Sequence, residues 1–206
     1  MENEMIPPET KGKNVNLEQS MDAGTKEAAT AAYQKACERM LNPAVWHKLC
    51  GPASAKFVLT TDTGDETRGA AKKGDYFKID IPGPGSSEGD GYDWVTVEFI
   101  EEINNPGHDE DLYGMKLRAS SNPSKEGAET AHFFTDEATS SFIIHRKGIK
   151  VTASYHGRNE VPNISTGKAT DNVRNSLVAL GAFAQLSEVQ WTALIKGFLE
   201  NEATGS

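Results

Sequence analysis

The segment Gly74–Ile103, GDYFKIDIPGPGSSEGDGYDWVTVEFIEEI, carries the strongest local structural signal in the chain. Apolar residues alternate with polar ones on both sides of its centre, at Phe77, Ile79, Ile81, Val95, Val97 and Phe99. A period of two is typical of a half-buried β-strand. Prolines and glycines crowd the stretch between the two runs, and they interrupt both ladders and helices. The segment therefore predicts a β-hairpin with a long, irregular and exposed connection.

Further strands are predicted on both sides of this hairpin. Lys56–Thr60 is rich in β-formers and ends at a turn, and Tyr113–Ala119 places its apolar residues on one face. Ser141–Gly157 has the pattern of a second hairpin, with Lys147 and Gly148 in the turn. A two-residue loop there would pair Ile144 with Val151 and Phe142 with Ala153. It would also place Ile143, His145, Thr152, Ser154 and His156 together on the opposite face.

Helices are predicted at both ends of the strand region. The polar segment 1–20 shows no apolar period and is expected to be a disordered tail. A helix follows over residues 22–41, with Asp22 or Thr25 as its cap, and a short second helix contains Trp46. Near the C-terminus, residues 168–200 predict an αα-hairpin from two apolar stripes, one of them formed by Trp191, Leu194, Ile195, Phe198 and Leu199.

Together these elements predict one α+β domain over residues 21–202. Residues 21–51 are expected to be helical and residues 55–157 mostly β. The expected sheet is antiparallel, with five or six short strands covered by the N-terminal helix and the αα-hairpin. Curling of the strands into a small SH3-like barrel is a fold-level analogy, and no motif supports it. The apolar stripes of the αα-hairpin also allow a homodimer.

Composition excludes some classes of partner. The 206 residues carry a formal net charge of −9, which argues against binding to a phosphate backbone, so nucleic acid is not an expected partner. No apolar run approaches the ~20 residues of a membrane helix, so no membrane partner is expected. The first residues lack the features of a signal peptide, which favours a cytoplasmic location. Cys37 and Cys50 form no metal motif, and their redox state stays open.

The connection Pro82–Asp93 is the first candidate site. Its glycines resemble those of phosphate-binding loops, but it leads into a strand and carries Glu88, Asp90 and Asp93, so it is expected not to bind phosphate. The same carboxylates could hold a cation, yet their spacing departs from that of a calcium loop. The acidic run His108–Asp111 lies at the other end of the intervening strand. No metal or cofactor is therefore expected.

Aromatic residues give this connection a second possible role. Tyr92 and Trp94 flank Asp93 where the loop meets the strand, and such a pair can stack on a ligand or anchor a partner. Trp94 has the parity of Thr96 and not that of Val95, which favours its partial exposure. Asp90, Tyr92, Asp93 and Trp94 are therefore the candidate residues for binding a ligand or a protein.

A candidate catalytic group lies at the end of the second hairpin. His156, Arg158 and Glu160 would share one side if the strand continued, and they combine an imidazole, a guanidinium and a carboxylate. A solvated histidine beside a strand-end salt bridge accounts for the same residues. His132 precedes Phe133 and Phe134 and cannot be placed from the sequence. No nucleophile motif is present.

Two hypotheses about function follow. The first is a non-catalytic interaction or ligand-binding domain that acts through the Pro82–Asp93 loop, and an acidic inhibitor of a basic partner is a variant of it. The second is a hydrolase or lyase for a small anionic substrate, with His156 as acid or base and Arg158 as anion clamp, supported by Glu160 or Asp93. The absence of a catalytic constellation favours the first hypothesis.

Overall fold

The computed structural model describes residues 2–51, 54–81, 89–127, 129–163 and 188–200. Its strands are β1 (Lys13–Asp22), β2 (Lys56–Thr60), β3 (Tyr76–Asp80), β4 (Asp93–Asn105), β5 (Glu110–Ala119), β6 (Thr139–Lys147) and β7 (Lys150–Glu160). Its helices are α1 (Glu2–Met5), α2 (Lys26–Leu41) and α3 (Trp46–Cys50), with 3₁₀ turns at Pro43–Val45 and Pro106–His108. Residues 188–199 are also helical and are called the C-terminal helical segment below.

The seven strands form one antiparallel sheet in the order β1-β7-β6-β5-β4-β3-β2. The predicted α+β class and antiparallel sheet are confirmed. The predicted count of five or six strands is too low, and the SH3-like barrel is not supported, because the sheet is open with β1 and β2 as its edges.

The additional strand is β1. Residues 13–20, expected from the sequence to belong to a disordered tail, form most of this strand and pair with β7. The partner residues lie far away in the chain, as Leu17 pairs with Tyr155. Polar residues occupy most of its outward positions, so its composition resembles that of a disordered tail. Only the pairing with β7 identifies it as a strand.

The second hairpin has the predicted faces but a different register. Ile144 pairs with Ala153 and Phe142 with Tyr155, because the turn lies at Gly148-Ile149 and not at Lys147-Gly148. The register is thus displaced by two residues from the prediction. Since side chains alternate with a period of two, a displacement of two keeps every residue on its predicted face.

One face of the sheet packs against α2, Trp46 and the C-terminal helical segment. The indole of Trp46 is fully buried, and its ring centroid lies 5.1–5.9 Å from those of Phe57, Phe77, Phe142 and Phe198. Trp46 is thus surrounded by rings from β2, β3, β6 and the C-terminal helical segment. We call this aromatic cluster the filled end of the core.

Helix α2 begins as the sequence predicts and is tied to the C-terminal helical segment. Thr25 caps it, with its hydroxyl oxygen accepting a hydrogen bond from the Ala28 N–H at 3.2 Å. Buried Arg39 donates hydrogen bonds to the carbonyl oxygens of Gly197, at 3.2 Å, and Phe198, at 3.0 Å. A cation at these terminal carbonyls satisfies acceptors that the helix leaves unpaired.

Some predicted features lie outside the described residues. They are positions 82–88 of the long connection, with Glu88, and residues 168–187, which include the first half of the predicted αα-hairpin. Among the helices that are described, none has the length and hydrophobicity needed to cross a membrane.

Candidate functional site

A cavity of about 240 Å³ lies between the sheet and the beginning of the C-terminal helical segment. Its lining is mostly apolar and comes from Cys50, Ser54, Ala55, Phe57, Ile79, Ile81, Val95, Leu117, His132, Phe133, Phe134, Ser140, Tyr155, Val189, Gln190, Trp191 and Ala193. The strands supply one wall through their core-facing residues. The opposite wall is the helix face that carries Trp191. We call this region the open end of the core.

Trp191 separates the cavity from the filled end. Its ring stacks on that of Tyr155, with centroids 5.2 Å apart and planes at 20°, and its edge meets Phe142 at 5.5 Å. The cavity is therefore walled by flat aromatic surfaces. Val189, one turn before Ala193 on the same helix, lines it too and is 70% exposed, which places an opening to solvent at this rim.

The segment 132–134 forms a third side of the cavity. The ring of His132 stacks on that of Phe133 at 4.3 Å, and Phe133 and Phe134 are also 4.3 Å apart. Two hydrogen bonds hold the segment in place: Asp93 accepts one from the Phe133 N–H at 3.1 Å, and the Thr135 N–H donates one to the Val161 carbonyl at 2.9 Å. Asp93 therefore positions this wall without lining the cavity.

His132 is held in one tautomer. The Phe134 N–H donates a hydrogen bond of 3.0 Å to Nδ1, so Nδ1 is an acceptor and the ring proton resides on Nε2. Desolvation lowers the pKa of His132 to about 3, because the surrounding rings disfavour an imidazolium. The side chain is thus a neutral donor across the physiological range of pH.

A hydroxyl and carboxyl cluster supports another part of the wall. Tyr155 Oη lies 3.1 Å from Ser140 Oγ and 3.3 Å from Glu160 Oε1, and both hydroxyl-bearing residues line the cavity. Glu160 is 7% exposed, and burial raises its pKa to about 7. A Cβ at Gly157 would overlap Glu160 Oε1, so the absence of a side chain there makes room for the carboxyl group.

The structure separates the three candidate catalytic residues. His156 Nδ1 lies 2.8 Å from Asn16 Oδ1, and Arg158 donates to the same oxygen at 2.7 Å, so these two meet on the outward face of β7. Glu160 instead turns to the core face. The expectation that all three share one side is wrong, because Asn159 has a φ of +55° and breaks the strand's alternation. Burial and the nearby Arg158 lower the pKa of His156.

The candidate binding residues around Asp93 are also dispersed. Asp90 is exposed and forms an ion pair of 2.6 Å with Lys125, while the Tyr92 ring lies 4.3 Å from Lys78 Nζ. Trp94, expected to be partly exposed, is 4% exposed, and its indole N–H donates to the Gly89 carbonyl at 3.3 Å. Its outward-facing position is covered by residues of the adjoining loops, so it presents no surface to a partner.

Sequence reasoning missed most of the cavity. His132, Phe133 and Phe134 form an aromatic run inside a polar loop, and that run is the signal in the sequence that could have indicated the cavity. The sequence places Trp191 in an apolar stripe, which predicts its burial but not the space beside it. In the described ranges no group of three or more His, Cys, Asp or Glu residues is arranged to hold a metal ion. Both Cys37 and Cys50 are free thiols.

No protein-family model and no curated protein sequence matches the chain. Among solved structures, a hypothetical protein from Helicobacter pylori matches with a TM-score of 0.51 and 12% identity, over 94% of this chain and 92% of that one. A protein from Mycobacterium smegmatis matches with a TM-score of 0.43 and 14% identity, over 97% and 99% of the two chains. A major latex-like protein from Panax ginseng gives 0.34 and 11%, over 85% and 98%. The first likeness shows that this chain shares its fold with the Helicobacter pylori protein.

Proposed function

We propose that the protein is a non-catalytic binding protein that holds a small, mainly apolar molecule in the cavity at the open end of the core. The observation that carries this proposal is the lining itself. It combines apolar and aromatic walls with a few polar groups, which is the usual composition of a small-molecule site. At about 240 Å³ the cavity approaches the lower end of the ~300–1,000 Å³ range of such sites.

The cost of the cavity supports a binding role. Empty apolar cavities destabilise proteins by roughly 24 cal/mol per Å³, which sets an upper scale of about 6 kcal/mol for a space of this size. That is comparable with the whole stability of many domains, ~5–15 kcal/mol. Water entering at the rim near Val189 reduces the cost, but it does not restore the lost contacts of the aromatic walls. An apolar ligand would restore them.

The polar groups near the cavity do not form a catalytic set. Ser54 Oγ lies 3.0 Å from His47 Nδ1, but it also lies 2.7 Å from the Gly51 carbonyl, which can only accept its proton. Within the described ranges no carboxylate contacts His47. The alternative hypothesis of a hydrolase or lyase needed His156, Arg158 and Glu160 in one cleft, and they face opposite sides of the sheet.

Dye binding tests the proposal. The neutral dye N-phenyl-1-naphthylamine, titrated into the wild type, should gain fluorescence with saturation at one site per chain. Ala193→Phe places a ring in the cavity and should weaken binding at least about tenfold, since the new side chain takes up the ligand's space. Thr192→Phe is the matched control, because the neighbouring residue does not line the cavity.

The two variants separate the possible outcomes. Loss of binding in Ala193→Phe with retention in Thr192→Phe, both with native circular dichroism, supports the proposal. Equal binding by both variants would place the dye elsewhere on the molecule. Absence of saturable binding to the wild type, repeated with smaller naphthalenes, would refute the proposed function.

A further inference from the structure

We propose that the occupant of the cavity is an uncharged aromatic molecule with a hydrogen-bond acceptor, such as a ketone or ester carbonyl, that is held by the Nε2–H of His132. This inference rests on the proposed function, since it specifies the ligand class of the same cavity. It goes further in naming the anchoring residue, the atom and the ligand's charge.

The first support is an unused donor on His132. His132 lines the cavity, and its Nδ1 is turned back to the Phe134 N–H. Nε2 therefore carries the proton, and it has no hydrogen-bond partner within the part of the chain that the structure describes. His132 is half-buried, so this donor can be reached from the cavity. A ligand that covers Nε2 without accepting its hydrogen bond would leave the donor unpaired, so the structure favours ligands that have an acceptor.

The second support is the charge of the surroundings. The lining residues that the structure describes include no lysine, arginine, aspartate or glutamate. Asp93 and Glu160 each form a hydrogen bond with a residue of the wall without lining the cavity, and burial raises the pKa of both, to about 6 and about 7. A charged carboxylate or ammonium ligand would therefore leave water without an oppositely charged side chain in this lining to pair with, which is costly.

The third support is the shape of the walls. The rings of Tyr155 and Trp191 are nearly parallel, with planes at 20°, and those of Phe133 and Phe134 are tilted by 50° to each other, so the walls offer both ring faces and ring edges. Offset stacking and edge contacts between rings add to the stabilisation that comes from burying apolar area. Planar aromatic ligands therefore fit these walls better than flexible chains do.

Three naphthalenes of nearly equal size test the inference. 2-Acetylnaphthalene carries a carbonyl acceptor, 2-isopropenylnaphthalene replaces that oxygen with a methylene group, and 2-naphthoate carries a negative charge. Their affinities are measured by displacement of N-phenyl-1-naphthylamine from the wild type and from His132→Phe, which removes the donor but keeps a ring. Ser140→Ala is the matched control, because it alters another polar group of the same cavity.

The wild type should prefer 2-acetylnaphthalene to 2-isopropenylnaphthalene, and the ratio of the two affinities should fall by about two- to tenfold in His132→Phe, which is the range of one neutral hydrogen bond. Ser140→Ala should keep the wild-type ratio, and 2-naphthoate should bind more weakly than either neutral compound. An unchanged ratio in His132→Phe, or tight binding of 2-naphthoate, would overturn the inference while leaving the proposed function intact. Failure of all three compounds and of the dye would instead overturn the proposed function.

A measurement on the wild type covers the case in which His132→Phe does not fold. Nitrogen NMR of the imidazole should show the Nε2–H tautomer in the free protein, and 2-acetylnaphthalene should move the Nε2 signal while 2-isopropenylnaphthalene leaves it nearly in place. Equal shifts with both compounds, or the other tautomer, would contradict the assignment of His132 as the anchor.

Discussion

The two ends of the core use the same sheet and the same helix for opposite purposes. At the filled end, Trp46 is enclosed by phenylalanine rings and leaves no space. At the open end, Trp191 and Tyr155 stack on each other and form the wall of a cavity of about 240 Å³. The C-terminal helical segment serves both, since Phe198 packs on Trp46 and Ala193 lines the cavity.

The difference shows how stability and binding are divided within one domain. Side chains at the filled end contact protein on every side, so their removal leaves a void. Side chains at the open end already border the cavity, so removing one enlarges a space that is already present. Substitutions at the filled end should therefore affect mainly the free energy of unfolding, and those at the open end mainly the affinity for a ligand.

Removing each of the two tryptophans should give the strongest contrast between the filled end and the open end. Trp46→Ala should lower the free energy of unfolding by about 3–5 kcal/mol, the range for large buried rings. Trp191→Ala removes a partly exposed ring and should lower the free energy of unfolding by less than half as much. It should weaken dye binding more than Trp46→Ala does. Urea denaturation followed by circular dichroism measures both. Equal losses of stability would show that the two ends are packed alike.

A smaller effect concerns the buried carboxyl group at the open end. The pKa of Glu160 is raised by burial to about 7 in the folded state, from about 4.5 when unfolded, so the folded state binds the proton more tightly. The contribution of Glu160 to the free energy of unfolding is therefore most favourable below pH 4.5 and is lost as the pH rises through 7. The free energy of unfolding of Glu160→Gln, relative to the wild type, should rise by about 3 kcal/mol between pH 4 and pH 8.

Exposed Glu18 provides the control for this pH dependence. Glu18→Gln makes the same substitution at an exposed position of β1, so it measures what the chemical change itself does across this pH range. A difference between Glu160→Gln and the wild type that stays constant from pH 4 to pH 8 would show that Glu160 titrates normally. The cluster with Tyr155 and Ser140 would then not be desolvated.

The smallest effect is expected at Ser140. Ser140→Ala removes one hydroxyl from the contact with Tyr155, whose own hydroxyl keeps Glu160 as an acceptor. The free energy of unfolding should fall by about 1 kcal/mol or less, the net value of one hydrogen bond. Urea denaturation at pH 7 measures it. A loss above about 2 kcal/mol would mean that the hydroxyl network, and not Glu160, determines the stability of this wall.

Local features of the fold could be predicted from the sequence. The sequence predicts the helix Lys26–Leu41 and its Thr25 cap because the residues that determine them lie within one helical turn of each other. The faces of β6 and β7 follow from alternation alone. The register does not, because it depends on which residues form the turn, and the neighbouring pairs Lys147-Gly148 and Gly148-Ile149 are both compatible with the pattern.

Features that depend on distant parts of the chain could not be predicted. Strand β1 is defined by its pairing with β7, and no residue near β1 specifies that partner. The position of Glu160 depends on the positive φ of Asn159, which reverses the face that alternation predicts. A cavity has even less local signal. It is the space left between residues from six strands, three connecting loops and two helical segments. His132 acquires its role only when Phe134 fixes its tautomer.

Intermolecular NOEs between 2-acetylnaphthalene and the protein would locate the ligand within the molecule. We expect cross-peaks from the ligand to the rings of Phe134, Tyr155 and Trp191, and none to Trp46 at the filled end. Cross-peaks confined to surface residues such as Ile149, or saturation of the protein without any contact to Trp191, would contradict the claim that the open end of the core is a binding site.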